Sequence, residues 1–172
     1  GQTAPLTMSV IRSAMGGVLF IDEAYSLYRG KDDSFGLEAI DTLVKAMEDN
    51  RDNLIVILAG YKKEMAGFLE ANSGLKSRFP NQINFPDYTG EQLLKITDIQ
   101  AKSKGYVIEE AAHEKLLAWY DHVQSTDAAG AGNGRLARNT LEEAILAQSG
   151  RIVNEPDADL SLLKAEDFHL ED

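Results

Sequence analysis

Two runs of apolar residues without polar interruption predict buried strands. The first is Val18 to Ile21, and the second covers residues 54–59. Such runs are typical of strands in a parallel sheet that helices cover on both faces. A shorter segment, residues 82–85, predicts a third strand that stops at Pro86.

Apolar residues three and four positions apart predict helices between these strands. One helix covers residues 5–15, and another begins at a cap of Asp33 or Ser34 after a polar loop. The inward face of this second helix holds Leu37, Ile40, Leu43, Val44 and Met47. A third helix covers residues 62–72, and the segment from there to the third strand is expected to be irregular. Alternating strands and helices predict an α/β layer with a parallel sheet.

The character of the chain changes near residue 88, after which helical patterns dominate. Thr89 and Gln92 form a capping box at the start of a helix that ends near Gly105. Further helices are predicted over 110–123 and 134–149, with an extended piece at 106–108 and a Gly/Ala-rich loop at 127–132. We therefore predict an α/β part over residues 1–88 and a helical part over 89–172.

Two adjacent carboxylates, Asp22 and Glu23, follow the first strand directly. Parallel sheets place their chemistry beyond the carboxyl ends of the strands. In nucleotide hydrolases this arrangement is the Walker B motif, in which the Asp holds Mg²⁺ and the next carboxylate polarises the attacking water. On its own, the pair is explained equally well by a solvated turn after a buried strand.

Three arginines are candidates for binding phosphate. Arg78 falls on the segment expected to be irregular and exposed, with no carboxylate partner nearby in sequence, and most such arginines are simply solvated. Arg135 and Arg138 lie in the first turns of a helix that a glycine-rich turn opens. A helix N-terminus attracts phosphate and arginine adds paired donors, although a capped helix with surface arginines explains the pattern too.

Composition narrows the function classes. The net charge is −11, which argues against a nucleic-acid groove, and the absence of cysteine excludes disulfides and thiolate metal sites. No apolar run is long enough to cross a bilayer and no signal peptide is evident, so we expect a cytoplasmic protein. His113, His122 and His169 lack metal-ligand spacing and are expected at the surface.

Several motifs occur in one order along nearly the whole chain. They are residues 1–5, 16–25, 35–39, 47–48, 59–61, 77–79, 85–88 and 132–139. In this order and spacing they resemble the AAA+ ATPases of the CbxX/CfqX group. That group includes red-type Rubisco activase, stage V sporulation protein K and the ATPase of type VII secretion systems.

The resemblance implies a role for each candidate residue. Asp22 is the Mg²⁺ residue of Walker B, and Glu23 is the general base. Arg78 is the arginine finger that reaches the nucleotide of the neighbouring subunit. Arg135 is the sensor 2 arginine of a helical lid, and Arg138 is a second candidate for that role.

The resemblance also implies ATP and Mg²⁺ as cofactors, a homo-oligomeric ring, expected to be a hexamer, and a protein client, without nucleic acid or membrane insertion. The loop over 28–34 matches the second pore loop, which faces the client. Residues 59–61 match sensor 1, but Tyr61 stands where Asn or Thr is common, so no firm role is assigned to it. The client itself stays open, because fold similarity does not choose it.

One expected motif, Gly-x-x-x-x-Gly-Lys-Ser/Thr, does not occur in the sequence. In the family this P-loop and the aromatic residue of the first pore loop precede the position of Gly1. We therefore expect a truncated module that is inactive alone. A non-hydrolysing assembly or scaffold subunit stays open as an alternative. A superfamily 2 helicase, suggested by residues 22–25, is disfavoured because residues 59–61 and the charge do not fit it.

Overall fold

A computed structural model describes residues 2–155 and 157–170. The chain divides into two compact units, Gly1–Asn84 and Phe85–Asp172. The second unit begins before Thr89 because side chains farther along the chain bind the segment that precedes it. The backbone N–H of Tyr88 donates to Asn133 Oδ1 (2.9 Å), and Asn133 Nδ2 donates to Asp87 Oδ1 (2.7 Å).

A parallel pair of strands forms the sheet of the first unit. Strand β1 (Val18–Ile21) pairs with β2 (Ile55–Leu58), in a register that sets Val18 beside Ile55 and Ile21 beside Leu58. The connection contains helix α2 (Ser34–Asp49), whose N-cap Asp33 accepts a hydrogen bond from Gly36 N at 2.9 Å. The predicted parallel pairing and the predicted cap are both confirmed.

Helices cover one face of this sheet and form two small clusters around α2. Helix α1 (Thr3–Ser13) packs on α2, and the buried residues of this cluster are Ile11, Leu43, Ala46 and Leu54. Helices α3 (Lys62–Leu69) and α4 (Ser73–Arg78) complete the second cluster, whose buried residues are Ala24, Ile40, Phe68 and Leu75. The core of the first unit therefore lies between the sheet and its helices.

We predicted that β1 and β2 are buried on both faces. This is wrong for the face that the helices do not cover. Val18, Phe20, Ile55 and Ile57 point away from the helices and are 46–61% exposed. We call these four residues the outer strip. Alternate residues of a strand face opposite ways, and no element of the described first unit covers the strip. An apolar run indicates that a strand can be buried, but not which segment buries it.

Two further predictions for the α/β part over residues 1–88 are wrong. Residues 82–85 form no strand, and Ile83 and Phe85 are 82% and 88% exposed. A strand needs a neighbour for its backbone N–H and C=O groups, and the described residues give this segment none. Residues 73–78 are helical rather than irregular, because the Asn72 side chain caps α4 by accepting a hydrogen bond from Gly74 N.

The second unit is mainly helical, as predicted. Its helices are α5 (Gly90–Ser103), α6 (Glu110–Ala131) and α7 (Gly134–Ile152), and the short strands β3 (Val107–Ile108) and β4 (Leu162–Leu163) pair in parallel. The predicted capping box is present, since Gln92 N donates to Thr89 Oγ1 and Thr89 N donates to Gln92 Oε1. The predicted loop at 127–132 is wrong: α6 continues through most of it, with a break in helical geometry at Asp127.

A buried ion pair attaches the end of the chain to α7. Arg151 donates to both carboxylate oxygens of Asp167 at 2.8 and 2.9 Å, and Asp167 is 2% exposed. Burial alone raises the pKa of Asp167, but the hydrogen bonds from Arg151 and from the Lys164 backbone outweigh it and hold this pKa below its usual value. Paired burial of this kind fixes where the C-terminal segment lies on the unit.

His113 is not the surface residue that the sequence predicts. Its side chain is 26% exposed and lies between Asp98 of α5 (2.8 Å) and Glu110 of α6 (3.5 Å). Partial burial lowers the pKa of His113, but the two carboxylates raise it by more, so the net shift is upward. The contact of His113 with Asp98 joins α6 to α5.

None of the helices within residues 2–155 and 157–170 is long and apolar enough to cross a membrane.

Candidate functional site

The carboxyl ends of β1 and β2 lie side by side, and the pairing continues beyond the strands. Ala59 N donates to Ile21 O (2.9 Å), and Ala24 N donates back to Ala59 O (3.0 Å). Asp22 and Glu23 are therefore held against the segment of Gly60 and Tyr61. The structure brings these Walker B and sensor 1 candidates together at the carboxyl ends of β1 and β2.

Glu23 has an unusual backbone conformation. Its φ and ψ are 46° and 50°, in the left-handed region that residues with a side chain rarely adopt. Its N–H donates to Asp22 Oδ1 (2.9 Å), and the next residue, Ala24, is fully buried. The chain thus turns sharply between a strand and a buried anchor, and both carboxylates are left exposed. Strain of this kind is typically kept at functional sites.

Tyr25 forms one wall beside these carboxylates. A Cβ placed on Gly60 would lie 2.7 Å from the Tyr25 ring and 2.7 Å from Met65 Sδ, so glycine permits this close packing. Burial of the ring, and then the nearby Glu23 and Glu64 carboxylates, raise the pKa of the Tyr25 hydroxyl. Tyr25 is therefore neutral at physiological pH and cannot serve as the base here.

Asp22 has the donor chemistry that Mg²⁺ requires. Magnesium is usually held by one or two carboxylates together with waters and substrate phosphates, rather than by a cage of protein ligands. Within residues 2–155 and 157–170, no three His, Cys, Asp or Glu side chains gather in the way such a cage needs. An exposed carboxylate at the carboxyl end of a parallel strand fits the first kind of site.

The loop over 28–34 is shaped by Asp33. Its carboxylate accepts hydrogen bonds from Arg29 N (3.0 Å) and Gly36 N (2.9 Å), and these bonds hold the pKa of Asp33 below its usual value. Gly30 has a φ of 123°, which lets the loop turn back toward Asp33. The loop is thus fastened to the start of α2.

Arg78 is the last residue of α4 and has a carboxylate partner, although no such partner lies near it in the sequence. Arg78 Nη2 forms an ion pair with Glu48 Oε2, and Arg78 Nη1 donates to Ser77 Oγ (3.4 Å). Glu48 lies in the last turn of α2, far from Arg78 in the sequence. A partner on another helix is not visible from the neighbours of Arg78 along the chain.

Arg78 does not lie beside the carboxylates of Asp22 and Glu23 within this chain. Arg78 shares an open cavity of about 470 Å³ with Glu48 and with Leu54, the residue before β2. Asp22 and Glu23 instead follow the carboxyl end of β1. Since β1 and β2 are parallel, these sites lie at opposite ends of the sheet.

Arg135 and Arg138 belong to the second unit, where both are exposed in the first turns of α7. The turn before α7 depends on Asn133, a residue that motif analysis did not single out. Asn133 has a φ of 50° and ties the turn to Asp87 and Tyr88. An Asn between two glycines is itself a signal for positive φ, so the sequence held this information.

Comparison with known proteins also divides the chain in two. Residues 2–87 match the ATPase family associated with various cellular activities (AAA), and residues 89–172 match the AAA lid domain. This chain belongs to the AAA ATPase family. Among solved structures the AAA chain resembles the FIGL-1 AAA domain, with a TM-score of 0.64 and 17% identity over 98% of this chain and 55% of that one. The predicted α/β fold with a helical lid is confirmed.

Curated relatives identify the group within the AAA family. The AAA chain is 44% identical to stage V sporulation protein K of Bacillus subtilis (strain 168), a match that covers all of this chain and 55% of that protein. It is 43% identical to the chloroplastic ribulose bisphosphate carboxylase/oxygenase activase of Cyanidioschyzon merolae, over 98% of this chain and 56% of the activase.

A third relative comes from a secretion system. The AAA chain is 44% identical to the ESX-3 secretion system protein EccA3 of Mycolicibacterium smegmatis, over 84% of this chain and 26% of that protein. Together the three relatives confirm the CbxX/CfqX group. The AAA chain spans about half the length of the first two of these relatives.

Proposed function

We propose that this AAA chain supplies the Mg²⁺, base and trans-acting residues of a cytoplasmic ring ATPase that hydrolyses ATP to remodel a protein client. The proposal is carried by the position of Asp22 and Glu23, which follow the carboxyl end of β1 beside the carboxyl end of β2. A left-handed turn at Glu23 presents both carboxylates there. Parallel sheets place their ligand sites just beyond the carboxyl ends of the strands.

The two carboxylates have different tasks in the proposed reaction. Mg²⁺, when bound, neutralises charge on the phosphates of ATP. Asp22 would hold the ion, directly or through water. Glu23 orients the attacking water and accepts its proton, as a general base must. Tyr25 and Met65 pack close to Gly60, on the segment paired with this turn.

The proposed hydrolysis needs a second subunit. Arg78 lies at the opposite end of the sheet from its own Glu23, so we propose that it reaches the nucleotide of a neighbour in a homo-oligomeric ring, a hexamer. Arg135 is the proposed sensor 2 arginine, with Arg138 as the second candidate, since both lie in the first turns of α7 where phosphate is attracted. The loop over 28–34 is proposed to face the protein client.

Asp22→Asn in the full-length protein is expected to raise the Mg²⁺ concentration needed for half-maximal ATP hydrolysis by about tenfold or more. The reason is that Mg²⁺ is held by very few protein carboxylates, so the loss of one charge weakens it strongly. A titration of ATPase activity with Mg²⁺ measures the shift. Asp52→Asn, in the exposed turn before β2, removes the same charge away from the site and is the matched control. An unchanged Mg²⁺ requirement in Asp22→Asn rejects the metal role.

The 172-residue chain itself is expected to show no ATP hydrolysis and only weak affinity for Mg-ATP. Its sequence has no Gly-x-x-x-x-Gly-Lys-Ser/Thr motif, and this motif supplies the backbone cradle and the lysine for the phosphates. Isothermal calorimetry with Mg-ATP measures the affinity. Micromolar binding by this chain contradicts the prediction, and the full-length protein serves as the positive control.

A further inference from the structure

Glu48 joins two arginines at the end of α2. Its Oε2 forms the ion pair with Arg78 Nη2, and its Oε1 lies 3.4 Å from Arg51 Nη2. The Arg78 side chain is 30% exposed, whereas that of Arg51 is 72% exposed. Of the two cations, Arg78 is therefore the one that the contact with Glu48 holds close to the protein.

The stability of α2 does not explain why a carboxylate stands here. The C-terminal end of a helix carries a partial negative charge, which favours cations and disfavours Asp and Glu. Helix α2 nevertheless ends with Glu48 and Asp49, and no basic residue lies in its last turn. The compensating positive charge comes from Arg78, on another helix, and from Arg51, after the helix. This arrangement points to a task for Glu48 outside its own helix.

We infer that Glu48 is a positioning residue for catalysis: it holds the guanidinium of Arg78 in the orientation needed to reach the phosphates of a neighbouring subunit. The inference rests on the proposed trans role of Arg78. Glu48 itself is not expected to touch nucleotide, because the contact with Arg78 already occupies one carboxylate oxygen and Arg51 lies beside the other.

The flexibility of Arg78 explains why an anchor matters. Arg78 ends a six-residue helix, and a free arginine side chain samples many rotamers. A reacting or stabilising group that is misplaced by about 1 Å can cost a factor of roughly 10² in rate. An anchor that orders the guanidinium before the neighbour arrives avoids that loss.

Arg78 can still bind a phosphate while it is paired with Glu48. A guanidinium carries several N–H donors in a rigid fork, and the contacts with Glu48 and Ser77 engage only its two Nη atoms. Donors remain for a phosphate while Glu48 stays in place. The pair is partly exposed, and such ion pairs are weak. Glu48 can therefore guide Arg78 without holding it back.

The test is Glu48→Gln in the full-length protein, which keeps the shape of the side chain and removes its charge. We expect kcat for ATP hydrolysis to fall about tenfold, while KM for ATP and ring assembly stay unchanged, because ATP is bound by the other subunit. Asp49→Asn removes the same charge from the next residue of α2, which is also exposed, and is expected to keep the wild-type kcat. A wild-type or raised kcat in Glu48→Gln overturns the inference.

A double variant separates positioning from a general effect on structure. If Glu48 acts only through Arg78, Glu48→Gln combined with Arg78→Ala has the same kcat as Arg78→Ala alone. A further loss in the double variant overturns the inference. Arg78→Ala with wild-type kcat instead rejects the proposed function, which is a distinguishable result. If Glu48→Gln does not assemble, Glu48→Asp, which shifts the carboxylate by one methylene, must lower kcat in the same Arg78-dependent way, and a wild-type kcat there also overturns the inference.

Discussion

Replacing Glu23 with glutamine in the full-length protein is expected to leave ATP binding intact and to abolish turnover. Glutamine has the same length and can still contact a water, but it cannot accept a proton. General-base catalysis typically contributes a factor of about 10²–10⁴ in rate, which sets the size of the expected loss. Because glutamine also keeps the side-chain carbons of glutamate, the left-handed turn at residue 23 is equally strained in both proteins.

Two measurements define the result for Glu23→Gln. Binding of a fluorescent ATP analogue should match the wild type within about twofold, and release of phosphate should fall close to background. The matched control is Glu64→Gln, because Glu64 is the other carboxylate close enough to raise the pKa of Tyr25, yet it lies on α3. We expect Glu64→Gln to hydrolyse ATP normally. Wild-type turnover in Glu23→Gln removes Glu23 as the base.

Arg78→Ala in the full-length protein is expected to assemble and to bind ATP, yet to hydrolyse it poorly. Arginine fingers that act between subunits contribute about 10³–10⁵ in rate, because they stabilise charge that develops in the transition state. The same change exposes Glu48 to solvent without its main partner. Since Glu48 is already half exposed, the cost in stability should be small. Steady-state hydrolysis, with a check of ring size by light scattering, measures the effect.

Mixed rings test whether Arg78 acts between subunits. Subunits with Arg78→Ala keep an intact Glu23, and subunits with Glu23→Gln keep an intact Arg78. Where the two kinds meet in the right order, one complete site forms at their boundary and some activity should return. No recovery, despite demonstrated co-assembly, contradicts the trans role and leaves Arg78 as a surface residue paired with Glu48.

Local signals in the sequence predicted local structure well. The cap at Asp33 and the box of Thr89 with Gln92 involve residues within one helical turn, so the sequence contains all of their chemistry. The parallel pairing of β1 with β2 followed from two apolar runs separated by a helix. The position of Asp22 beyond the carboxyl ends of two neighbouring strands could be expected because this pairing was expected.

Features that depend on partners far along the chain were not predictable in this way. Residues 82–85 have a suitable strand pattern, but side-chain preference does not supply the neighbouring strand that the backbone needs. The contact of Arg78 with Glu48 joins two helices, so no window of sequence contains it. The left-handed turn at Glu23 is a further example, because a glutamate gives no local signal for positive φ.

Gly60 leads to an expectation about genetic variation. The Tyr25 ring and the Met65 thioether both lie close to it, so even the methyl group of alanine fits only if both of them move. In a survey of all single amino-acid changes, position 60 should therefore tolerate larger side chains less well than an exposed position does, although glycine has no side chain with which to contact a nucleotide. Lower tolerance there would reflect the packing of Tyr25 and Met65 on Gly60. Such a survey will therefore identify residues that support the site by packing as well as residues that take part in its chemistry.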